Sequence, residues 1–159
     1  MNRDRPLLPP RADTATQTAS TTQPKPAVST IGWSSIDATH FTFDLPPDFR
    51  SVLAQGIDSF AGEYRSNSVK ITFDYGALSD PLSENGQPNY TSSEEELGGR
   101  RALLVSFDNT GHDGGYGYAR CVHFPNAGPN GIKLTVFANC KSKDDYDIAR
   151  AIFRSIRFK

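Results

Sequence analysis

The sequence predicts an α+β fold in which a mainly antiparallel sheet is packed by a long C-terminal helix. Three observations predict it. Residues 56–76 (GIDSFAGEYRSNSVKITFDYG) read as a β-hairpin turning at Asn67-Ser68. Its alternation puts Phe60, Gly62, Tyr64, Val69, Ile71, Phe73 and Tyr75 on one face and Glu63, Arg65, Lys70, Thr72 and Asp74 on the other. Residues 101–107 (RALLVSF), 116–124 and 132–140 supply further strands between Gly- and Asn-rich turns. Ile148, Ala149, Ile152, Phe153 and Ile156 then recur at helical spacing, a stripe wide enough to lie across a sheet.

Each element has a local reason. Residues 33–37 form a short lead-in, strand or turn, and 41–45 (FTFDL) alternate as a half-buried strand that Pro46-Pro47 ends. A turn at 48–50 leads to a short strand at 51–53, then to the hairpin. Residues 76–93 form a long polar loop with Asp80-Pro81, Asn85-Gly86 and Gln87-Pro88 as breakers. Leu97-Gly98-Gly99 turns the chain into 101–107, and 108–115 is a second hairpin loop. The helix opens on a capping box, Ser142 with Asp145, and Asp144 and Asp145 suit its positive end. Arg150, Arg154 and Arg157 follow toward its negative end.

Composition divides the chain in two. All 17 aromatic residues lie at or after Trp33, whereas residues 1–32 hold five prolines and a Thr/Ser/Gln/Ala mixture. That segment buries too little apolar surface to offset its ordering entropy, so it reads as a disordered tether on a single domain at 33–159. The charge is +2 in residues 1–32 and −3 in the remainder, −1 in all, which argues for no nucleic-acid or other polyanionic partner. No apolar run approaches a membrane span, and Met1-Asn2-Arg3 is not followed by a signal-peptide core. Pro- and Thr-rich tethers commonly follow an envelope signal or lipid anchor. The chain is therefore expected in a periplasm or envelope if such a segment lies upstream, and in the cytoplasm otherwise.

Residues 122–140 read as a hairpin with Pro125–Gly131 as its loop, pairing Phe124 with Ile132 and Val122 with Leu134. That register sets Cys140 opposite Tyr116 and Cys121 opposite Thr135, on opposite faces and about five residues apart along the ladder. Two free thiols are expected, because that separation exceeds the reach of a disulfide, about 7 Å between Cα atoms.

The order Phe-x-Phe-x-Leu-Pro-Pro-x-Phe at 41–49, the antiparallel run and the closing FRSIRF at 153–158 together resemble the PsbP-like α/β/α sandwich. The resemblance spans about residues 40–159. The GIDSFAGEY and FDYG phrases resemble segments of small exported bacterial proteins of uncharacterised activity. What the resemblance implies is non-enzymatic work: extrinsic subunits of membrane complexes, a nuclear-import GTPase cofactor, or envelope lipoproteins.

Candidate chemistry concentrates on the hairpin's polar face. Glu63 faces Thr72, with Asp74 its diagonal neighbour, so the two carboxylates would lie roughly 5–8 Å apart. Such a pair suits acid/base or nucleophilic hydrolysis, and its plainer role is a solvated face of cross-strand ion pairs with Arg65 and Lys70. Asp58, Ser59 and His123 share only residue types with a catalytic triad, since no G-x-S-x-G elbow or oxyanion loop accompanies them. Residues 108–114 carry metal-compatible side chains without calcium-loop order, and His112 alone makes a poor zinc site. Tyr116 and Tyr118 alternate with Gly115 and Gly117, so both rings would face one way beside bare backbone and could stack a ligand.

The reading that follows is a non-catalytic binding or accessory domain on a tether, without cofactor or metal. Its partner would be another protein or an envelope component, met at the sheet end carrying loop 76–93, Tyr75, Tyr116 and Tyr118. The alternative is a small hydrolase using Glu63 and Asp74.

Overall fold

The computed structural model describes residues 25–53, 59–109 and 114–159. Within them, two antiparallel sheets and one short helix build an α+β fold. The small sheet has the order β1-β2-β10, from β1 (Ser34–Asp37), β2 (Phe41–Leu45) and β10 (Arg157–Phe158). The large sheet has the order β3-β4-β5-β9-β8-β7-β6. Its strands are β3 (Arg50–Val52), β4 (Phe60–Arg65), β5 (Val69–Gly76), β6 (Thr91–Leu97), β7 (Arg100–Asp108), β8 (Tyr118–Phe124) and β9 (Lys133–Cys140). The middle strand of this sheet, β9, is its last in sequence.

The β4–β5 hairpin has the register its alternation dictates, with Glu63 opposite Thr72, Gly62 opposite Phe73 and Phe60 opposite Tyr75. Its apolar face meets β2 and α1 (Tyr146–Arg154) in the principal core, where Ile71, Phe73, Phe41, Phe43, Ile152 and Ile156 pack together. Phe41 meets Phe73 edge-on at 5.2 Å, and Phe43 does so at 6.0 Å. Gly62 makes room for this cluster, because a Cβ there would lie 2.4 Å from the Phe73 ring.

The other face of the large sheet holds a second core of Leu82, Val105, Ala119 and Cys121, bordered by Tyr90, Leu103, Phe107 and Phe137. The segment after β5 supplies its cover. From Gly76, at one end of β5, the chain must reach the edge strand β6 across β9, β8 and β7, roughly 19 Å. It does so over this second face, setting Leu82 and Tyr90 down on the sheet, with Tyr90 Oη donating to Leu82 O at 2.8 Å. The length of the 77–90 segment is thus the length of a crossover.

Three expectations change. The helix is short: a 3₁₀ turn at Lys143–Asp145 and nine residues of α1. Ile156 continues the apolar stripe in sequence, but Ser155 Oγ turns back to donate to Ile152 O and accept from Asp44 N, and the chain leaves as β10. Residues 91–97 (TSSEEEL) form a strand, β6, where a loop to 93 and an acidic stretch were expected. The β8–β9 register is displaced by two residues: Phe124 pairs with Leu134, Val122 with Val136 and Tyr118 with Cys140. A two-residue displacement preserves every side chain's face. Cys140 accordingly lies in the principal core and Cys121 in the second, both free and buried.

Residues 1–24 of the expected tether lie outside the described residues. Residues 25–30 run beside α1, where Lys25 Nζ pairs with Asp147 at 2.6 Å.

Candidate functional site

Tyr75 is the penultimate residue of β5, and three other pieces of chain converge on it. The β1–β2 turn is tight: Thr39 sits at φ 61° with its N–H donating to Asp37 Oδ1, and His40 follows. The turn lays the His40 ring flat on Tyr75, 4.6 Å away with planes 8° apart. Phe60 meets His40 edge-on at 5.9 Å. From the β8–β9 loop comes Gly128, whose backbone approaches so closely that a Cβ would lie 2.2 Å from Tyr75 Oη. Pro129 and Ile132 complete the wall.

Two adjoining hollows of about 350 and 550 Å³ share His40, Tyr75 and Pro129. Arg100 and Lys159 stand beside the first. Both are held: Arg100 lies over the Phe158 ring at 4.4 Å and donates to Asn126 O, while Lys159 pairs with Asp37 at 2.5 Å. The Lys159 ammonium, with the Thr39 N–H, holds the Asp37 carboxyl below its usual range. Phe60 and Ser59 line the second hollow, and Phe60 remains 40% exposed. A concave, aromatic surface with polar groups at one rim suits binding an apolar side chain or ring.

Tyr75 is therefore brought into a site, but Tyr116 and Tyr118 are not. Tyr118 pairs with Cys140, which pairs with Val69, six residues down β5 from Tyr75 and roughly 20 Å away. Nor do Tyr116 and Tyr118 form one platform. Strand β8 begins at Tyr118, so Tyr116 lies before the regular alternation starts. Tyr118 packs on the principal core beneath Lys143, whereas Lys70 and Lys141 lie over the Tyr116 ring at 5.5 and 5.7 Å.

Of the two carboxylates, Glu63 is ion-paired with Arg65 two residues along its strand. Asp74 has Oδ1 buried without a hydrogen-bond partner, and it stands opposite Ala61 and Thr135. Neither residue lines the hollows just described.

His123 is buried under the start of the 77–90 crossover. Thr135 Oγ1 donates to Asp80 O at 2.6 Å, with Ser79 Oγ at 2.6 Å and His123 Nδ1 at 2.9 Å around it. The single hydroxyl proton of Thr135 is spent on Asp80, so His123 donates from Nδ1 to Thr135. Burial first, then Lys133, push the His123 pKa below its ordinary value. Asp58, His112 and Asp113 lie outside the described residues, and no group of three His, Cys, Asp or Glu among the described residues is placed to hold a metal ion.

The sequence reading missed His40 and the role of the Gly128-Pro129 turn. Neither has a local signal, since both act by reaching Tyr75 from distant parts of the chain.

No protein-family model matches the chain, and no curated protein matches it. Among solved structures, the chain is similar to the solution structure of cyanobacterial PsbP (CyanoP) from Synechocystis sp. PCC 6803. The TM-score is 0.53 at 12% identity, covering 86% of this chain and 100% of that one. The fold is PsbP-like. This PsbP-like domain has no helix, among the described residues, long and apolar enough to cross a membrane.

Proposed function

We propose that the chain is a non-catalytic binding or accessory domain, carried on a flexible N-terminal tether and associated with a bacterial envelope. It engages another protein or an envelope component through the His40–Tyr75–Phe60 cleft. The observation that carries this reading is Phe60, a large aromatic left 40% exposed at the mouth of a cleft whose floor is already stacked and fixed. Finishing the burial of such a ring contributes part of the ~1.5–3 kcal/mol that full burial gives. A rigid aromatic anchor beside polar groups is also where interface energy concentrates.

The test is a photo-crosslinking side chain at position 60 of the full chain in its own cells, compared with one at Ser92 on the far sheet edge. A discrete adduct at position 60, absent at 92 and lost in Tyr75→Ala, is the expected result. Identical adducts at both positions, or none at 60, would remove the cleft as the contact surface. Recovery of the chain in the soluble cytosolic fraction alone would remove the envelope assignment.

A further inference from the structure

At the opposite edge of the large sheet lies a row of side chains that the aromatic cleft does not involve. Thr91 of β6 pairs with Ser106 of β7, which pairs with Arg120 of β8, so the three share one face in a single line across three strands. With Ser93 and Leu104 they line a hollow of about 240 Å³. Thr91 Oγ1 and Ser106 Oγ are 2.7 Å apart, a bond that uses one of their two hydroxyl protons and leaves the other free to donate. Ser93 adds a solvent-exposed hydroxyl.

Arg120 is the anomaly in this row. Its guanidinium is half-buried over the Tyr146 ring at 5.4 Å, with no ion-pair partner among the described residues. Its Nε is buried without a hydrogen-bond partner. The neighbouring cations are ion-paired: Glu95 serves both Arg150 and Arg154 of α1, and Asp44 serves Arg157 of β10. Burial first, then repulsion from Arg150, disfavour charge on Arg120, and Glu95 and Asp147 offset part of this without forming an ion pair to it. A partly desolvated guanidinium without a direct ion pair is costly, and an unpartnered buried polar atom calls for an explanation. Arginine is also the side chain whose planar fork best fits tetrahedral oxyanions.

We propose that the Thr91–Ser106–Arg120 row, with Ser93, is a binding site for a small tetrahedral oxyanion, phosphate or sulfate, free or as the terminal group of a small ester. Arg120 supplies the counter-charge, and the hydroxyls donate to the oxygens that it leaves. The hollow admits the anion and a few further atoms, which excludes an extended polyanion.

The test is titration of the full chain with inorganic phosphate, with sulfate and with glycerol phosphate, each against sodium chloride at equal ionic strength. Two readouts apply: the midpoint of thermal unfolding and the NMR signal of the Arg120 Nε–H. The expected result is a saturable rise in Tm with a matching, saturable shift of the Arg120 signal. The rise in Tm should be lost in Arg120→Gln, and both readouts should be retained in Arg101→Ala, an exposed arginine of the same sheet edge. Tighter binding of glycerol phosphate assigns an esterified ligand, and tighter binding of an inorganic ion assigns the free anion. If Arg120→Gln does not fold, the Thr91→Ala/Ser106→Ala pair removes both hydroxyls, and with them the free donor, and leaves the charge, and it should weaken binding at least ~10-fold. The proposal is overturned if no anion shifts the Arg120 signal beyond chloride, or if the paired variant binds as tightly as the parent.

Discussion

At the scale of single residues, His123 is defined by what surrounds it. Its folded pKa is depressed by burial, so between that value and the ordinary imidazole value of about 6.5 the unfolded chain binds the extra proton. Stability from this group is complete above about pH 6.5 and is lost as pH falls through the folded pKa, at up to ~1.4 kcal/mol per pH unit. Chemical denaturation from pH 7.5 to 5 should therefore show a steeper loss for the parent than for His123→Asn, which keeps a donor and cannot titrate. Parallel curves would mean that the proton is accommodated without cost. Little of this was legible beforehand. Alternation put His123 on a strand, but its burial depends on Ser79 and Asp80, more than forty residues away, folding over it. The residues of the β4–β5 hairpin were legible to the exact pair, because a short turn between two alternating runs leaves one register that buries a single face.

At the scale of elements, legibility followed local pattern. The capping box was visible as Ser142 and Asp145, and both of its bonds form, with the Ser142 N–H donating to Asp145 Oδ2 at 3.3 Å; Ser142 Oγ also accepts from the Asp144 N–H at 3.2 Å. What the sequence did not disclose is that Asp145 Oδ1 also accepts from Ser68 Oγ at 3.0 Å, fastening the hairpin turn to the helix start. Asp145→Ala should cost about 1–2 kcal/mol, more than a cap of an isolated helix, whereas Asp144→Ala should cost less than half as much. Equal losses measured by urea unfolding would show that dipole charge, not the bonds, is what matters. Strand β6 escaped notice because an exposed edge needs no alternation, and a run of glutamates there discourages edge-to-edge pairing. The helix was read too long because Ile156 prolongs the apolar stripe after the backbone has turned away.

At the scale of the whole molecule, one cysteine lies under each of the two cores. Burial pushes the Cys140 thiol up to about 12, and it pushes Cys121 further in the same direction. Both should resist thiol reagents in the native state. Leu82→Ala weakens only the crossover's hold on the second core, by ~2 kcal/mol or more, so it should speed labelling of Cys121 at least ~10-fold and that of Cys140 much less. Single-cysteine variants under native conditions separate the two, and equal acceleration would mean that the sheet opens as one unit. The paired faces were readable from alternation, but the crossover was not, because nothing in a polar loop says which surface it crosses. The position of β9 has a further consequence, for synthesis. Strands β3 to β5 and β6 to β8 leave the ribosome as two separate partial sheets, each with an unpaired edge, and only residues 133–140 join them. A nascent chain stalled or cut before Lys133 would carry two open strand edges and both unfinished cores, the surfaces that chaperones hold and that aggregates grow from.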